Sequence, residues 1–251
     1  MSGHSKWSTI KRKKGAADAK RGQLFTKLGR ELMIAAKEGG PDPEANFRLR
    51  LVVDKARAAN MPKENIERAI QRGAGISKDG VALEDIIYEG YGPGGTALLV
   101  EVMTDNRNRS VAEVRRVFSR HGGNLGETGC VGWMFERKGT LTINAEGQDP
   151  EAIALDAIDA GAEDVKVDGN VVEVYTTVED LQKVRDALLE RKYTVDDVEL
   201  GWVPKTLFQP DQKTAVQNLR LIEALEELDD VQAVHSNLDI TDAALAEFEA
   251  A

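Results

Sequence analysis

The chain has 251 residues, 41% of them hydrophobic, which suffices for one large globular domain or for two to three small ones. Its single cysteine excludes an internal disulfide framework and a thiolate zinc site, and the lack of a membrane span or secretion signal predicts a cytoplasmic protein. The net charge of −10 is unevenly distributed, since residues 1–72 carry 17 Lys/Arg against 8 Asp/Glu and residues 73–251 carry 16 against 35.

Residues 1–14 are basic and polar without a sustained period, which predicts a flexible arm that orders on binding. Seven cations surround the aromatic side chain of Trp7 within 16 residues, and these are Lys6, Lys11, Arg12, Lys13, Lys14, Lys20 and Arg21. Phosphate contacts need cations and base stacking needs an aromatic ring, so Trp7 and these cations form a candidate nucleic-acid-binding site. A solvated basic tail or an organellar presequence is the competing interpretation.

Residues 15–79 are predicted to form a three-helix domain. Helical spacing of apolar residues indicates helices at 16–37, from an Asp42 N-cap to about residue 60, and at 62–73. The first helix is amphipathic, because its cations lie opposite its apolar face. These cations are Lys20, Lys27, Arg30 and Lys37, and the first three belong to the candidate site.

From residue 80 onward, strands and helices alternate. The predicted elements are strands at 86–89 and 96–104, a helix at 110–121, a strand at 131–137, a β-α-β-β-α-β unit within 139–200, a helix at 211–229 and a strand at 231–238. The last helix and strand are too few elements to fold as a domain of their own. They would supply the helix and the strand that the segment 86–137 lacks for a second α/β sandwich.

We therefore expect an α+β protein in which an N-terminal three-helix bundle is followed by two ferredoxin-like α/β sandwich domains, one inserted in the other. The discontinuous domain would combine residues 80–137 and 203–240. The inserted domain would span 138–202, and residues 241–251 would form a tail.

Arg107 and Arg109 stand just before a predicted helix that Ser110 and Glu113 would open as a capping box. Cations at a helix N-terminus oppose the helix dipole, so selection for stability alone would favour acids there. Arg107 and Arg109 are therefore candidates for nucleic-acid binding. Salt bridges to neighbouring carboxylates are the alternative interpretation.

Other motifs carry little chemistry. The glycine-rich stretch 88–95 lacks the lysine of a P-loop and precedes a strand, and 122–126 follows a helix, so a turn and a helix C-cap are favoured. The histidines are scattered, and no nucleophile elbow is present. No catalytic residue, metal or cofactor is predicted, although adjacent carboxylates at 226–230 leave a metal-dependent hydrolase as an alternative.

Long motifs are spread throughout the chain, at Gly3 to Lys11, Asp18 to Arg21, Phe25 to Glu31, Asn60 to Ile70, Tyr88 to Gly95, Thr104 to Arg109, Gly122 to Gly126 and Asp229 to Asn237. These motifs resemble those of the YebC family. Ser236 is a small departure from the family's sequence pattern, and this departure does not involve a basic residue. The resemblance implies a three-domain α/β protein without a mitochondrial presequence.

The function implied by this resemblance covers more than one target. Family members are labelled transcriptional regulators that bind DNA, mitochondrial relatives look like translational activators, and bacterial relatives are regarded as ribosome-associated factors that relieve stalling. The expected function is a non-enzymatic, nucleic-acid-binding regulator of gene expression. Its target would be ribosomal RNA or the ribosome, since an acidic bulk suits one-sided insertion into a ribonucleoprotein. Promoter DNA is one alternative, and a protein-interaction scaffold is another.

Overall fold

The computed structural model describes residue 7, residues 18–76 and residues 83–250, without the side chains of residues 18–21. The N-terminal bundle consists of α1 (Asp18–Gly39), α2 (Phe47–Ala58) and α3 (Lys63–Gly73). Apolar side chains at helical spacing build its core, and they include Leu28, Leu32, Leu49, Val52, Ala56 and Ile66.

The second helix begins later than the sequence predicts. Its N-cap is Asn46, whose side chain accepts a hydrogen bond from the Leu49 amide at 3.0 Å, whereas Asp42 closes a single turn that is not continued. Asn46 also donates to the carbonyl oxygens of Ala35 at 2.8 Å and Gly40 at 2.9 Å. This buried side chain therefore ties the end of α1 to the start of α2.

Two four-stranded antiparallel sheets follow the bundle. Their elements, with the connecting helices, are β1 (Glu84–Tyr91), β2 (Ala97–Thr104), α4 (Arg107–Arg120), β3 (Asn124–Leu125), β4 (Phe135–Asn144), α5 (Pro150–Ala160), β5 (Asp164–Asp168), β6 (Val171–Thr176), α6 (Leu181–Glu190), β7 (Val195–Pro204), α7 (Gln212–Glu226), β8 (Val231–Ser236) and α8 (Asp242–Ala250).

The first sheet has the strand order β3-β1-β2-β8. Strand β8 follows the whole second sheet in the sequence but pairs with β2, with Leu98 opposite Ser236. Helices α4 and α7 cover one face of this sheet, where Phe118 and Leu219 pack against Leu98. Residues on the other face of β2 pack against the segment that leads into the second sheet.

The second sheet has the strand order β5-β6-β4-β7 and lies entirely within residues 135–204. With α5 and α6 on one face, this is the ferredoxin-like β-α-β-β-α-β arrangement. The side chains of Ile143 and Val174 pack against Ile153 of α5 and Val184 of α6. The predicted fold class is thereby confirmed, with one sheet domain inserted in the other.

Three predictions are wrong in detail. The strand predicted at 131–137 and the first strand of the unit predicted within 139–200 form one strand, β4, preceded by a 3₁₀ turn at Gly132–Met134. The helix predicted from Ser110 begins at Arg107. Residues 242–250, predicted as a tail, form α8, whose Phe248 side chain is buried in the core of the first sheet.

The bundle contacts both sheet domains. Lys55 of α2 forms an ion pair with Glu199 of β7 at 3.4 Å, and Arg185 of α6 reaches Asp54 at 3.5 Å. On the other side, Lys37 of α1 donates to the carbonyl oxygen of Leu83 at 3.3 Å. Among the helices in the described ranges, none is long and apolar enough to cross a membrane.

Candidate nucleic-acid interface

The indole ring of Trp7 is buried inside the protein. Only 6% of the residue is exposed, and its ring stands edge-on to Phe248 with 5.4 Å between ring centroids. Its Nε1 donates a hydrogen bond of 3.0 Å to Glu226 Oε2 at the end of α7. A ring enclosed in this way has no free face for a base in this conformation, and a role for Trp7 in nucleic-acid binding stays a prediction.

Most cations of the predicted arm lie outside the described residues. These are Lys6, Lys11, Arg12, Lys13 and Lys14, and the side chains of Lys20 and Arg21 in the first turn of α1 are likewise outside the description. A role for these seven residues in nucleic-acid binding stays a prediction.

Lys27 and Arg30 of α1 are turned toward the protein's own acidic segment. Lys27 Nζ donates to the carbonyl oxygen of Glu226 at 2.5 Å, and Arg30 donates to the carbonyl oxygen of Asp229. Cations are stabilised near the carbonyl end of a helix such as α7, because the helix dipole is negative there. Lys27 and Arg30 thus attach the bundle to the first sheet domain, and their predicted contact with nucleic acid stays a prediction.

Asp230 is the centre of this attachment. The residue is 4% exposed, and its Oδ2 accepts hydrogen bonds from Ser110 Oγ at 2.6 Å, Arg109 Nη2 at 2.8 Å and Thr104 Oγ1 at 3.0 Å. Its Oδ1 pairs with Arg30 Nη1 at 2.9 Å. Burial raises the pKa of Asp230, but these hydrogen bonds and the charge of Arg30 outweigh burial and hold the pKa below its usual value.

Arg109 forms ion pairs with two carboxylates. Salt bridges to neighbouring carboxylates are the alternative interpretation that the sequence left open. In addition to Asp230, its Nη2 pairs with Asp105 at 2.9 Å. The predicted capping box is wrong, because Asn106 is the N-cap and accepts a hydrogen bond from the Arg109 amide at 3.1 Å. Ser110 is buried, and its hydroxyl group donates a hydrogen bond to Asp230 instead.

Arg107 lies on the exposed surface of α4, together with three arginines that were not predicted as site residues from the sequence. They are Arg115, Arg116 and Arg120, all exposed. Within the described residues, no carboxylate pairs with any of these four guanidinium groups. Helix α4 contains five of the 16 Lys/Arg that follow residue 72, and Glu113 is its only acid.

A local signal could have identified this basic face. Val114, Val117 and Phe118 repeat at helical spacing and are buried, which places Arg115, Arg116 and the other polar residues of α4 on the solvent side. An amphipathic helix whose polar face carries arginines almost without acids is typical of a polyanion-binding surface.

The loop before β4 is wrapped around a buried carboxylate. Glu89 of β1 is 7% exposed and accepts three backbone hydrogen bonds, from the amides of Gly129 at 2.7 Å, Val131 at 2.8 Å and Gly132 at 2.6 Å. Burial raises the pKa of Glu89, but the three amides together lower it below the usual value. The loop that they hold carries Trp133, the most exposed large hydrophobic side chain among the described residues at 69% together with Leu155.

Glycines of the stretch 88–95 are explained by packing. A Cβ on Gly90 would lie 2.7 Å from the carbonyl oxygen of Asn124, and one on Gly92 would lie 2.1 Å from Asn218 Oδ1. Gly94 and Gly95 have φ angles of 72° and 91°, which other residues rarely adopt. These observations favour a structural role for the glycines over an anion-binding role.

The described residues contain no group of three or more His, Cys, Asp or Glu side chains that could hold a metal ion. Burial and the nearby charge of Glu89 raise the pKa of the Cys130 thiol, which makes this thiol a poor nucleophile at neutral pH.

Comparison with known proteins agrees with this architecture. A family model described as the TACO1/YebC protein N-terminal domain matches residues 5–76, and one described as the TACO1/YebC second and third domain matches residues 83–238. A protein of Chloroflexus aurantiacus named "Probable transcriptional regulatory protein" is 57% identical, with 100% of both chains covered. A protein of the same name from Dictyoglomus turgidum is 54% identical over 96% of this chain and 97% of its own length.

Among solved structures, that of a conserved hypothetical protein from Aquifex aeolicus is similar, with a TM-score of 0.82. The two sequences are 47% identical, and the match covers 90% of this chain and 93% of the other. Together, the fold and the sequence matches show that the chain belongs to the TACO1/YebC family.

Proposed function

We propose that the protein is a non-enzymatic regulator of gene expression that binds nucleic acid through the exposed arginines of α4. The observation that supports this function is the set of four guanidinium groups, Arg107, Arg115, Arg116 and Arg120, that have no carboxylate partner among the described residues. A chain with 43 Asp/Glu could supply such partners readily. Arginines that no described carboxylate neutralises are suited to an external anion, and their planar donors match phosphate.

The length of the helix suits a nucleic-acid strand. Thirteen residue steps separate Arg107 from Arg120, which is about 20 Å along a helix that rises 1.5 Å per residue. A stacked strand advances roughly 3.4 Å per nucleotide, so the helix would lie along about six nucleotides. The cations of the N-terminal arm, Lys6, Lys11, Arg12, Lys13, Lys14, Lys20 and Arg21, would extend this contact.

We propose RNA, in the context of the ribosome in the cytoplasm, as the target. The acidic charge of residues 73–251 would be repelled by a duplex wrapped around the protein, whereas one basic helix can be inserted into a ribonucleoprotein from one side. The resemblance to ribosome-associated factors that relieve stalling supports the same target. The relatives' name, "Probable transcriptional regulatory protein", favours promoter DNA as the second candidate.

A matched pair of variants tests the role of α4. Replacing Arg115, Arg116 and Arg120 with Gln removes three charges from the helix. Replacing Lys183, Lys192 and Lys213 with Gln removes three exposed cations elsewhere, so both variants have the same net charge. Affinity for RNA and for duplex DNA is measured at several salt concentrations.

We expect the arginine variant alone to bind more weakly and to reduce the slope of log affinity against log salt by roughly 0.7 to 0.9 for each phosphate that the protein no longer neutralises. Equal binding by the two variants would contradict the proposal. Crosslinking in cells, with sequencing of the bound RNA and DNA, decides the target. Enrichment of ribosomal RNA supports translation, enrichment of promoter fragments supports transcription, and a protein partner that survives nuclease treatment supports a scaffold.

A further inference from the structure

Two exposed aromatic side chains are fixed at one point of the loop before β4. Trp133 is 69% exposed and Tyr91 is 38% exposed. Trp133 Nε1 donates to the carbonyl oxygen of Cys130 at 3.2 Å, and Tyr91 Oη donates to the same oxygen at 2.9 Å. The polar atoms of both rings are thus satisfied within the protein, while the ring surfaces remain open to solvent.

The carbonyl group that joins these rings is itself held in place. The amides on either side of Cys130, those of Gly129 and Val131, donate to the buried Glu89 carboxylate. Lys205 donates through its Nζ to the carbonyl oxygen of Trp133 at 3.0 Å. These hydrogen bonds restrict the Trp133 side chain, so little side-chain conformational entropy would be lost when a planar ring such as a base stacks on it.

The aromatic pair lies at the same edge of the first sheet as the end of the basic helix. Helix α4 ends at Arg120, and shortly after it Asn124 pairs with Tyr91. A Cβ on Gly123, between them, would lie only 2.7 Å from the carbonyl oxygen of Tyr91. Cations for phosphates and ring surfaces for bases therefore occur together, a combination found in proteins that bind single strands.

We propose that Trp133 and Tyr91 form a stacking platform for unpaired bases of a single-stranded nucleic acid. This inference rests on the proposed function, since the phosphates of the same strand would contact the α4 arginines. Bases in an intact duplex are stacked on each other and unavailable to these rings, so the platform selects single-stranded segments, loops or ends.

The experiment measures binding of a mixed-sequence single-stranded RNA oligonucleotide, of an abasic strand of equal length and of a duplex. The proteins are the wild type, Trp133→Ala, Trp133→Phe and the control Leu155→Ala, which removes an equally exposed side chain from α5. Because Trp133 is exposed, the alanine variant should fold normally, and its circular dichroism and thermal midpoint verify this.

We expect Trp133→Ala to weaken binding of the single strand at least fivefold, since stacking contributes about 1 kcal/mol or more per base. The abasic strand should bind the wild type and this variant equally. Trp133→Phe should retain most of the affinity, but it should lose the quenching of Trp133 emission that we expect when RNA binds to the wild type. Unchanged binding of the single strand by Trp133→Ala, or an equal loss on the abasic strand, would overturn the platform. If the α4 variant still loses affinity in that case, only the platform has failed, whereas no binding by the wild type refutes the proposed function as well.

Discussion

Arg30 Nη1 and Asp230 Oδ1 form an ion pair of 2.9 Å that connects the first helix of the bundle to the segment before β8. Both groups are shielded from solvent, with 17% of the Arg30 side chain and 5% of the Asp230 side chain exposed. The carboxylate also receives the hydrogen bonds of Ser110, Arg109 and Thr104. One aspartate thus joins α1, β2 and α4.

Replacing Asp230 with Ala should lower the free energy of unfolding by about 3 kcal/mol, because it leaves two arginines and two hydroxyl groups without their shared acceptor. The control is Asp229→Ala, which removes an exposed carboxylate but keeps the carbonyl group that Arg30 contacts. This control should change the stability by less than about 0.5 kcal/mol. Urea unfolding of both variants gives the comparison, and similar losses in the two would refute the central role of Asp230.

The stability of the protein should fall in acid partly through Asp230. Its pKa is lowered in the folded state, so the stabilisation is complete above the usual carboxyl pKa and is lost as the pH falls through the folded value. The difference in unfolding free energy between wild type and Asp230→Asn should therefore be largest near pH 7 and shrink below about pH 4. Urea midpoints measured from pH 7 to pH 3 test this, and a constant difference would contradict it.

Trp7→Ala should release the N-terminal arm without unfolding the sheets. The substitution removes the contact with Phe248 and the hydrogen bond to Glu226, which are the described anchors of this residue. Limited trypsin digestion should then cleave after Lys11 to Lys14 faster than in the wild type. Trp133→Ala removes an exposed tryptophan and should leave the cleavage rate unchanged. Equal rates in the two variants would show that Trp7 does not hold the arm.

Gly126→Ala should be destabilising, and Cys130→Ala should relieve the effect. A Cβ on Gly126 would lie 2.4 Å from Cys130 Sγ but 3.5 Å from Cys130 Cβ and from the carbonyl oxygen of Glu89. We expect a loss of about 1 to 3 kcal/mol from the single glycine variant and a smaller loss when the sulfur is absent. Chemical denaturation of all four proteins of the cycle measures the coupling, and simple additivity would disprove the proposed clash.

The elements that depend on local pattern were predictable from the sequence. The helix after Asp149 begins at a residue type that favours N-caps, and the Asp149 side chain accepts a hydrogen bond from the Glu151 amide at 3.1 Å. The turn at Asp168-Gly-Asn170, whose residue types favour a hairpin, joins β5 to β6. Such features follow from capping, turn chemistry and periodicity within a few residues.

Long-range contacts were not predictable in this way. The predicted domain boundary between residues 137 and 138 lies inside β4, next to Gly139. This glycine is required by packing, because a Cβ there would approach Leu181 Cβ to 2.8 Å and Thr176 Oγ1 to 2.5 Å. The destinations of Trp7 and Arg30 depend on α7 and α8, which lie at the other end of the chain. No pattern within the N-terminal segment indicates those partners.

The contacts of the bundle with both sheet domains have a consequence for cooperativity. Arg30 and Lys37 attach α1 to the first sheet domain, while Lys55 and Asp54 attach α2 to the second. The two sheet domains also meet directly, since a Cβ on Gly201 of β7 would lie 3.2 Å from His235 Cε1 of β8. Each of the three domains therefore contacts the other two. Because of these contacts, heating should unfold them together in a single calorimetric transition.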